Sequence, residues 1–208
     1  AGDLVHHNND WSGLLILGDN ACGIKANTSI YDKPLINYLL SYFMLMGIND
    51  IKIVTGDENK KFIESLYGSG ERVGLQLSYW DDIPKEKYRN SDSNVMIVIG
   101  MTFIYGVDQT RFFQKAMIDK SRTTVLSLPK KKMDSTARIY YDSDKKVVTS
   151  GDGEKLRTQY DYHQLPIIFC PSQIVCGICV KEIIKKEKFS YTQINDDVYT
   201  VILDRGFV

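Results

Sequence analysis

The sequence predicts an α/β protein: a three-layer α/β/α sandwich, Rossmann-like, around a mixed, mostly parallel sheet. Three observations predict it. Short apolar runs recur along the chain, and the early ones stop at glycine or a polar turn. Helix-period segments separate those early runs, which implies right-handed parallel crossovers. The later runs follow one another too closely for helices to intervene, which implies an antiparallel addition.

Gly13 to Leu17 is an apolar run stopped by Gly18-Asp19-Asn20, as expected of a buried strand ending in a turn. Pro34 stands where a first helical turn tolerates it. Leu35, Ile36, Leu39, Leu40, Phe43, Met44 and Met46 then supply one apolar face of a helix closed by Gly47. Ile51 to Thr55 reads as the second strand. Asn59 to Leu66 reads as a helix ended by Gly68 and Gly70, and Gly74 to Trp80 alternates as a third strand. Asp81 to Asn94 is polar, contains Pro84 and has no apolar period, so a connection or one poor helix is expected. Val95 to Ile99 is apolar throughout, the pattern of a central strand covered on both faces, and stops at Gly100. Asp108 is placed to cap a helix running to Lys120. Thr123 to Leu128, Ala137 to Tyr141, Lys146 to Thr149 and Leu165 to Phe169 are further strand candidates.

The 208 residues carry 26 basic and 26 acidic side chains, so the formal charge is zero. That balance excludes holding nucleic acid or an anionic membrane by charge alone, and neither partner is expected. At 43% hydrophobic and 25% charged, the chain is an ordinary globule and not a disordered one. No apolar run reaches membrane-spanning length, and the stretch from Ala1 to Trp11 is polar, so a cytoplasmic location is expected. With no repeat, low-complexity tract or linker, residues 1–208 read as one domain. Lys130-Lys131-Lys132 reads as a solvated turn.

Of the four cysteines, Cys176 and Cys179 form a C-x-x-C on an expected helix, and Cys170 ends an apolar run. Cys22, His6, His7 and His163 do not complete a zinc site at recognisable spacing. Buried free thiols are the expectation, with no bound metal.

Five landmarks in order carry a resemblance. They are Ile30-Tyr31-Asp32-Lys33-Pro34-Leu35-Ile36 followed by Met44 to Ile51, Gly68-Ser69-Gly70 with Gly74-Leu75, Ile99 to Gly106, Thr192-Gln193-Ile194-Asn195, and Arg205-Gly206-Phe207. In these the chain resembles the sugar-1-phosphate nucleotidyltransferases, most closely the glucose-1-phosphate thymidylyltransferase type. The resemblance implies the sheet of the nucleotide-diphospho-sugar transferase type. It also implies a family reaction in which a sugar phosphate attacks the α-phosphorus of a nucleoside triphosphate and Mg²⁺, held by two aspartates, neutralises the phosphate oxygens.

At the two positions where the resemblance puts those aspartates stand Met101 and Gln193. A thioether is a poor ligand for a hard cation, and an amide oxygen adds no charge. The segment after Leu17 is shorter than the family's glycine-rich phosphate loop, lacks its arginine and carries Asp19. Asp81 to Asn94 is unlike the family's base-reading segment. What the resemblance retains is Lys25, eight residues before Lys33, with Glu154-Lys155 and Lys186 as a residual sugar-phosphate pocket.

The expected function is therefore a degenerate, non-catalytic nucleotidyltransferase-like protein, acting in protein association, regulation or the binding of a sugar phosphate or nucleotide sugar. A homo-oligomer or a complex with an active protein partner is implied, and no cofactor. The competing reading is an active enzyme with a rebuilt Mg²⁺ site at Asp19 or Asp108 and Lys25 on the phosphate. A third is nucleic-acid binding through Trp80 and Tyr88 interleaved with Lys85, Lys87 and Arg89.

Overall fold

A computed structural model describes residues 10–17, 26–100, 109–129, 138–141, 143–150, 162–180 and 197–203. In chain order it contains β1 (Trp11–Ile16), β2 (Ser29–Ile30), β3 (Lys33–Pro34), α1 (Leu35–Leu45), β4 (Asp50–Val54) and α2 (Asp57–Tyr67). A 3₁₀ turn (Glu71–Val73) then leads to β5 (Gln76–Trp80), α3 (Lys85–Arg89), β6 (Asn94–Ile99), α4 (Gln109–Met117) and β7 (Thr123–Pro129). The rest is β8 (Arg138–Tyr141), β9 (Val147–Ser150), β10 (Tyr162–Pro171), α5 (Ser172–Val175) and β11 (Val198–Ile202).

The principal sheet has nine strands among the described residues, with the order β11-β7-β10-β6-β1-β4-β5 along its main path. Pairs β1 with β4, β1 with β6, β4 with β5 and β7 with β11 are parallel, and β10 is antiparallel to both β6 and β7. All strands on that path except β10 therefore point the same way. Strands β8 and β9 form an antiparallel extension beside β10. This is the expected mixed, mostly parallel architecture. No described helix is long and apolar enough to cross a membrane.

Period-two burial of β1 and β6 builds the layers. Trp11, Leu15, Met96 and Val98 face a core completed by α1, α2 and α4, through Phe43, Ile63, Phe112 and Phe113 among others. Leu14, Ile16, Val95, Ile97 and Ile99 face a second core completed by Tyr88 of α3 and Val175 of α5. Phe113 joins the aromatic set of the first core, with ring centroids 6.1 Å from Tyr42 and 5.7 Å from Phe169.

Several elements differ from the sequence reading. Met44, expected on the buried face of α1, is 46% exposed, and Tyr42 is buried instead, its ring edge-on to Phe113. The expected strand from Gly74 starts at Gln76, because Glu71–Val73 winds a 3₁₀ turn between Gly70 (φ 87°) and Gly74 (φ 73°). The polar connection contains the short helix α3. The run from Leu165 to Phe169 is the centre of a longer strand, β10, broken by a bulge between Gln164 and Ile168. β11 was not foreseen. Helix α5 ends at Val175, so neither Cys176 nor Cys179 is helical. Cys170 is buried, Cys176 is half-buried and Cys179 is exposed. The C-x-x-C thus crosses from interior to surface and does not form a buried pair. The Asp108 cap, Lys130 to Lys132 and Cys22 lie outside the described residues.

Gly13 decides how closely α1 approaches the sheet. A Cβ there would lie 2.7 Å from Phe43 Cδ1 and 3.1 Å from Ile51 Cγ1. Gly13→Ala is expected to destabilise by about 1–3 kcal/mol through overpacking. In urea unfolding, the Gly13→Ala/Phe43→Leu pair should lose less than the sum of its single variants. Additive losses would show that Gly13 does not set the fit of Phe43.

The interior also sets a pH limit. Burial pushes the Cys170 thiol well above its ordinary value of 9.0. Burial and then the charge of Glu64 raise the Tyr79 phenol to about 12. Both folded values exceed the unfolded ones, so the associated stability is complete below about pH 9 and is lost as pH rises through the folded values. Urea midpoints are expected to fall progressively above about pH 9, and Cys170→Ala to flatten the first part of that fall. An unchanged profile in the variant would exclude the thiol as its cause.

Candidate functional site

Parallel strands in an open α/β sheet present their carboxyl ends, where the backbone pattern stops, to one edge. Here Leu17, Thr55, Asp81 and Gly100 follow β1, β4, β5 and β6 at that edge. The ladder runs on past the strand ends: Leu17 N–H donates to Val54 O (2.8 Å), Thr55 N–H to Trp80 O (3.1 Å), and Gly100 N–H to Ile16 O (2.7 Å). The sheet order reverses around β1, with β4 on one side and β6 on the other. A crevice is expected at such a switch point.

A cleft of about 400 Å³ opens at this edge, beside the ends of β1, β4 and β5. Leu17, Val54 and Val180 give it an apolar floor, and Thr55, Gly56, Asp57 and Asp81 line the remainder. Val180 reaches it from the segment after α5, so the wall joins distant parts of the chain. Gly56 is the N-cap of α2 in an extended conformation (φ −77°, ψ 174°) and offers the helix no side-chain cap. Asp57 and Glu58 occupy the first turn instead and place carboxylate charge at the positive end of the α2 dipole. Thr55 is 6% exposed, and its Oγ1 is buried with no hydrogen-bond partner among the described residues.

The chemistry of this cleft is that of an acceptor. Asp57 and Asp81 supply two carboxylates, and no lysine or arginine is among its described lining residues. Carboxylates accept hydrogen bonds from hydroxyl groups readily and repel phosphate. Among the described residues no three histidine, cysteine, aspartate or glutamate side chains come together to hold a metal ion.

Lys25, Met101, Glu154, Lys155, Lys186 and Gln193 lie outside the described residues, as do Asp19 and Asp108. The aromatic and basic stretch is described. Tyr88 is only 2% exposed, and the Lys87 ammonium lies 4.8 Å from the Trp80 ring centroid. Both rings are engaged within the fold, so they do not form the base-stacking platform of the third reading. Sequence reasoning missed Thr55, Asp57 and Asp81. The available signal was their position just beyond the expected parallel strands ending at Thr55 and Trp80.

No protein-family model matches the sequence. Over 108 residues the chain is 32% identical to glucose-1-phosphate thymidylyltransferase of Neisseria meningitidis serogroup A, covering 47% of this chain and 37% of that protein. Over 124 residues it is 27% identical to the Neisseria gonorrhoeae enzyme of the same name, covering 55% of this chain and 43% of that one. The matched region thus spans less than half the length of these curated relatives. A Bacillus anthracis crystal structure in complex with a sucrose, provisionally assigned as a glucose-1-phosphate thymidylyltransferase, superposes with a TM-score of 0.69 at 16% identity, covering 93% of this chain and 87% of that one. CMP:2-keto-3-deoxy-manno-octonic acid synthetase complexed with CTP superposes with a TM-score of 0.61 at 10% identity, covering 93% and 89%. The chain therefore resembles the sugar-1-phosphate nucleotidyltransferases in sequence and shares their α/β fold.

Thr55→Val replaces the unpartnered hydroxyl with a methyl of similar shape. It is expected to stabilise the free protein by about 1 kcal/mol in urea unfolding, because a buried hydroxyl without a partner carries an uncompensated desolvation penalty. A loss of stability would mean that the hydroxyl already has a partner in solution.

Proposed function

We propose that this chain is a non-catalytic nucleotidyltransferase-like protein that holds a hydroxyl-rich, sugar-type ligand at the carboxyl edge of its parallel strands. The observation that carries the reading is the lining of that cleft. Asp57, Asp81 and Thr55, whose hydroxyl has no partner among the described residues, line a space beside the ends of β1, β4 and β5 where no described cation offsets the two carboxylates. Sugar hydroxyls suit such a surface. A triphosphate does not, and neither Met101 nor Gln193 would draw in the Mg²⁺ that could neutralise it. Lys25, Glu154, Lys155 and Lys186 are assigned to the same pocket on the strength of the resemblance alone, and those lysines are what would hold the phosphate of a sugar phosphate or nucleotide sugar whose hydroxyls meet Asp57 and Asp81. In this reading residues 1–208 act as one cytoplasmic unit that associates with itself or with an active nucleotidyltransferase.

The second reading is an active sugar-1-phosphate nucleotidyltransferase with a divergent Mg²⁺ site. The identity to named thymidylyltransferases favours it.

Pyrophosphate release separates the two. With each nucleoside triphosphate, Mg²⁺ and sugar 1-phosphates, the expected outcome is no release above the protein-free control, together with a raised melting temperature in the presence of a nucleotide sugar or sugar phosphate. Turnover at about 1–10³ s⁻¹, the ordinary enzymatic range, would establish the second reading. Light scattering on the same sample checks assembly, and a strict monomer that does not bind an active nucleotidyltransferase would remove the association part.

A further inference from the structure

The opposite end of the same strands carries a second polar cleft, of about 420 Å³, within the size range of small-molecule sites. It lies beside the amino ends of β1, β4, β5 and β6, and among its lining residues are Asp50, Lys52, Lys87, Tyr88, Ser91 and Ser93. From Asp50 to Thr55 the chain advances roughly 17 Å along β4, so this cleft is separate from the one at the carboxyl edge.

One of its groups is buried without a partner among the described residues, and a lysine is drawn in beside it. The Lys52 side chain is only 13% exposed, and its ammonium is 3.9 Å from Asp50 Oδ1, beyond hydrogen-bonding distance. It sits 5.4 Å from the centroid of the Tyr88 ring. The Tyr88 hydroxyl is buried with no hydrogen-bond partner among the described residues. A buried phenol hydroxyl without a described partner is costly to keep in a fold, and here a cation stands beside its ring.

The remaining lining is donor and acceptor. Ser91 Oγ and Ser93 Oγ lie 2.7 Å apart, and Ser93 Oγ is 3.2 Å from Ser172 Oγ, so the serines form a connected hydroxyl chain at the cleft wall. Lys52 and Lys87 against the single carboxylate of Asp50 leave a surplus of one positive charge among these groups.

We propose that this cleft binds a compact hydroxylated anion, a short polyol chain bearing one carboxylate or phosphate. Lys52 and Lys87 take the anionic group, the Asp50 carboxylate and the serines take the hydroxyls, and Tyr88 supplies a further hydrogen bond. The site is independent of the proposed activity at the carboxyl edge.

The test is calorimetric titration of the full chain with sodium gluconate and with glycerol 3-phosphate, the two sources of the anionic group. Sorbitol and glycerol serve as neutral counterparts, at matched ionic strength. At least one anion is expected to bind with a Kd of about 1 mM or tighter, and the neutral polyols at least about tenfold more weakly. Lys52→Gln and, on the exposed helix surface, Lys87→Gln should each weaken binding about tenfold. Lys61→Gln, an exposed lysine of α2 outside both clefts, should leave it unchanged. Tyr88→Phe should raise the melting temperature of the free chain while weakening the anion. Absence of saturable binding by both anions, equal binding of the neutral polyols, or an affinity unmoved by both lysine variants would overturn the proposal.

Discussion

Strands β1 and β6 have no polar face, and the rest of the molecule is arranged around that fact. Leu14, Leu15, Ile16 and the run from Val95 to Val98 are at most 1% exposed, so each strand must be covered on both sides. A strand of this kind is unstable with only one helical layer, because full burial of each large aliphatic side chain contributes about 1.5–3 kcal/mol that exposure would forfeit. Two layers require crossovers, and crossovers make the neighbouring strands parallel. The close approach of α1 follows from the same constraint, since the backbone at Gly13 is what Phe43 packs against. Once the faces are filled, the two ends of the sheet are the places left where polar groups can gather beside the strands.

The two ends have different chemistry. At the carboxyl edge, carboxylates from Asp57 and Asp81 stand beside an α2 terminus already served by acidic side chains. At the amino edge, lysines outnumber the carboxylate and hydroxyls line the wall. An enzyme that transfers a nucleotidyl group needs positive potential and a hard metal at the carboxyl edge, because charge accumulates there on phosphate oxygens. In the described residues that edge has the opposite sign. The proposed function rests on that sign: described carboxylates at this edge favour hydroxyl groups over phosphate.

The layers were legible from the sequence because burial leaves a periodic trace. Continuous apolar runs such as Val95 to Ile99 mark strands covered twice, and the period of Leu35, Ile36, Leu39, Leu40 and Phe43 marks the helix above them. Positions that depend on tertiary partners were not legible. Met44 carries the same hydrophobic character as its neighbours, yet lies off the buried arc of α1, and Tyr42 is buried because Phe113 stands across from it. β11 is a short strand fixed by parallel pairing to β7 and by the buried hydroxyl pair of Ser127 and Thr200, 2.9 Å apart, neither of which has a local signature. The cleft residues Thr55, Asp57 and Asp81 are common residue types in ordinary turn positions, and only the convergence of β1, β4 and β5 makes them neighbours. The residues named by resemblance belong to segments beyond the described part, so the geometry tests the scaffold of that resemblance and not its pocket.

That separation between scaffold and pocket has a physical origin. Stability here is stored in side chains directed to the two faces of the sheet, whereas a reaction of the family's kind would depend on a few groups at the strand ends. Groups at the strand ends and side chains such as Leu15, Met96 and Phe43 in the layers share few partners, and side chains without shared partners contribute nearly independently. The fold can therefore be kept whatever chemistry the strand ends carry. The buried hydroxyls of Thr55 and Tyr88, which have no partner among the described residues, are the exceptions: each lies at one end of the sheet, and each opposes folding on its own. Both hydroxyls stand where the proposed ligands would supply the missing hydrogen bond, at the two ends of a sheet whose faces are already full.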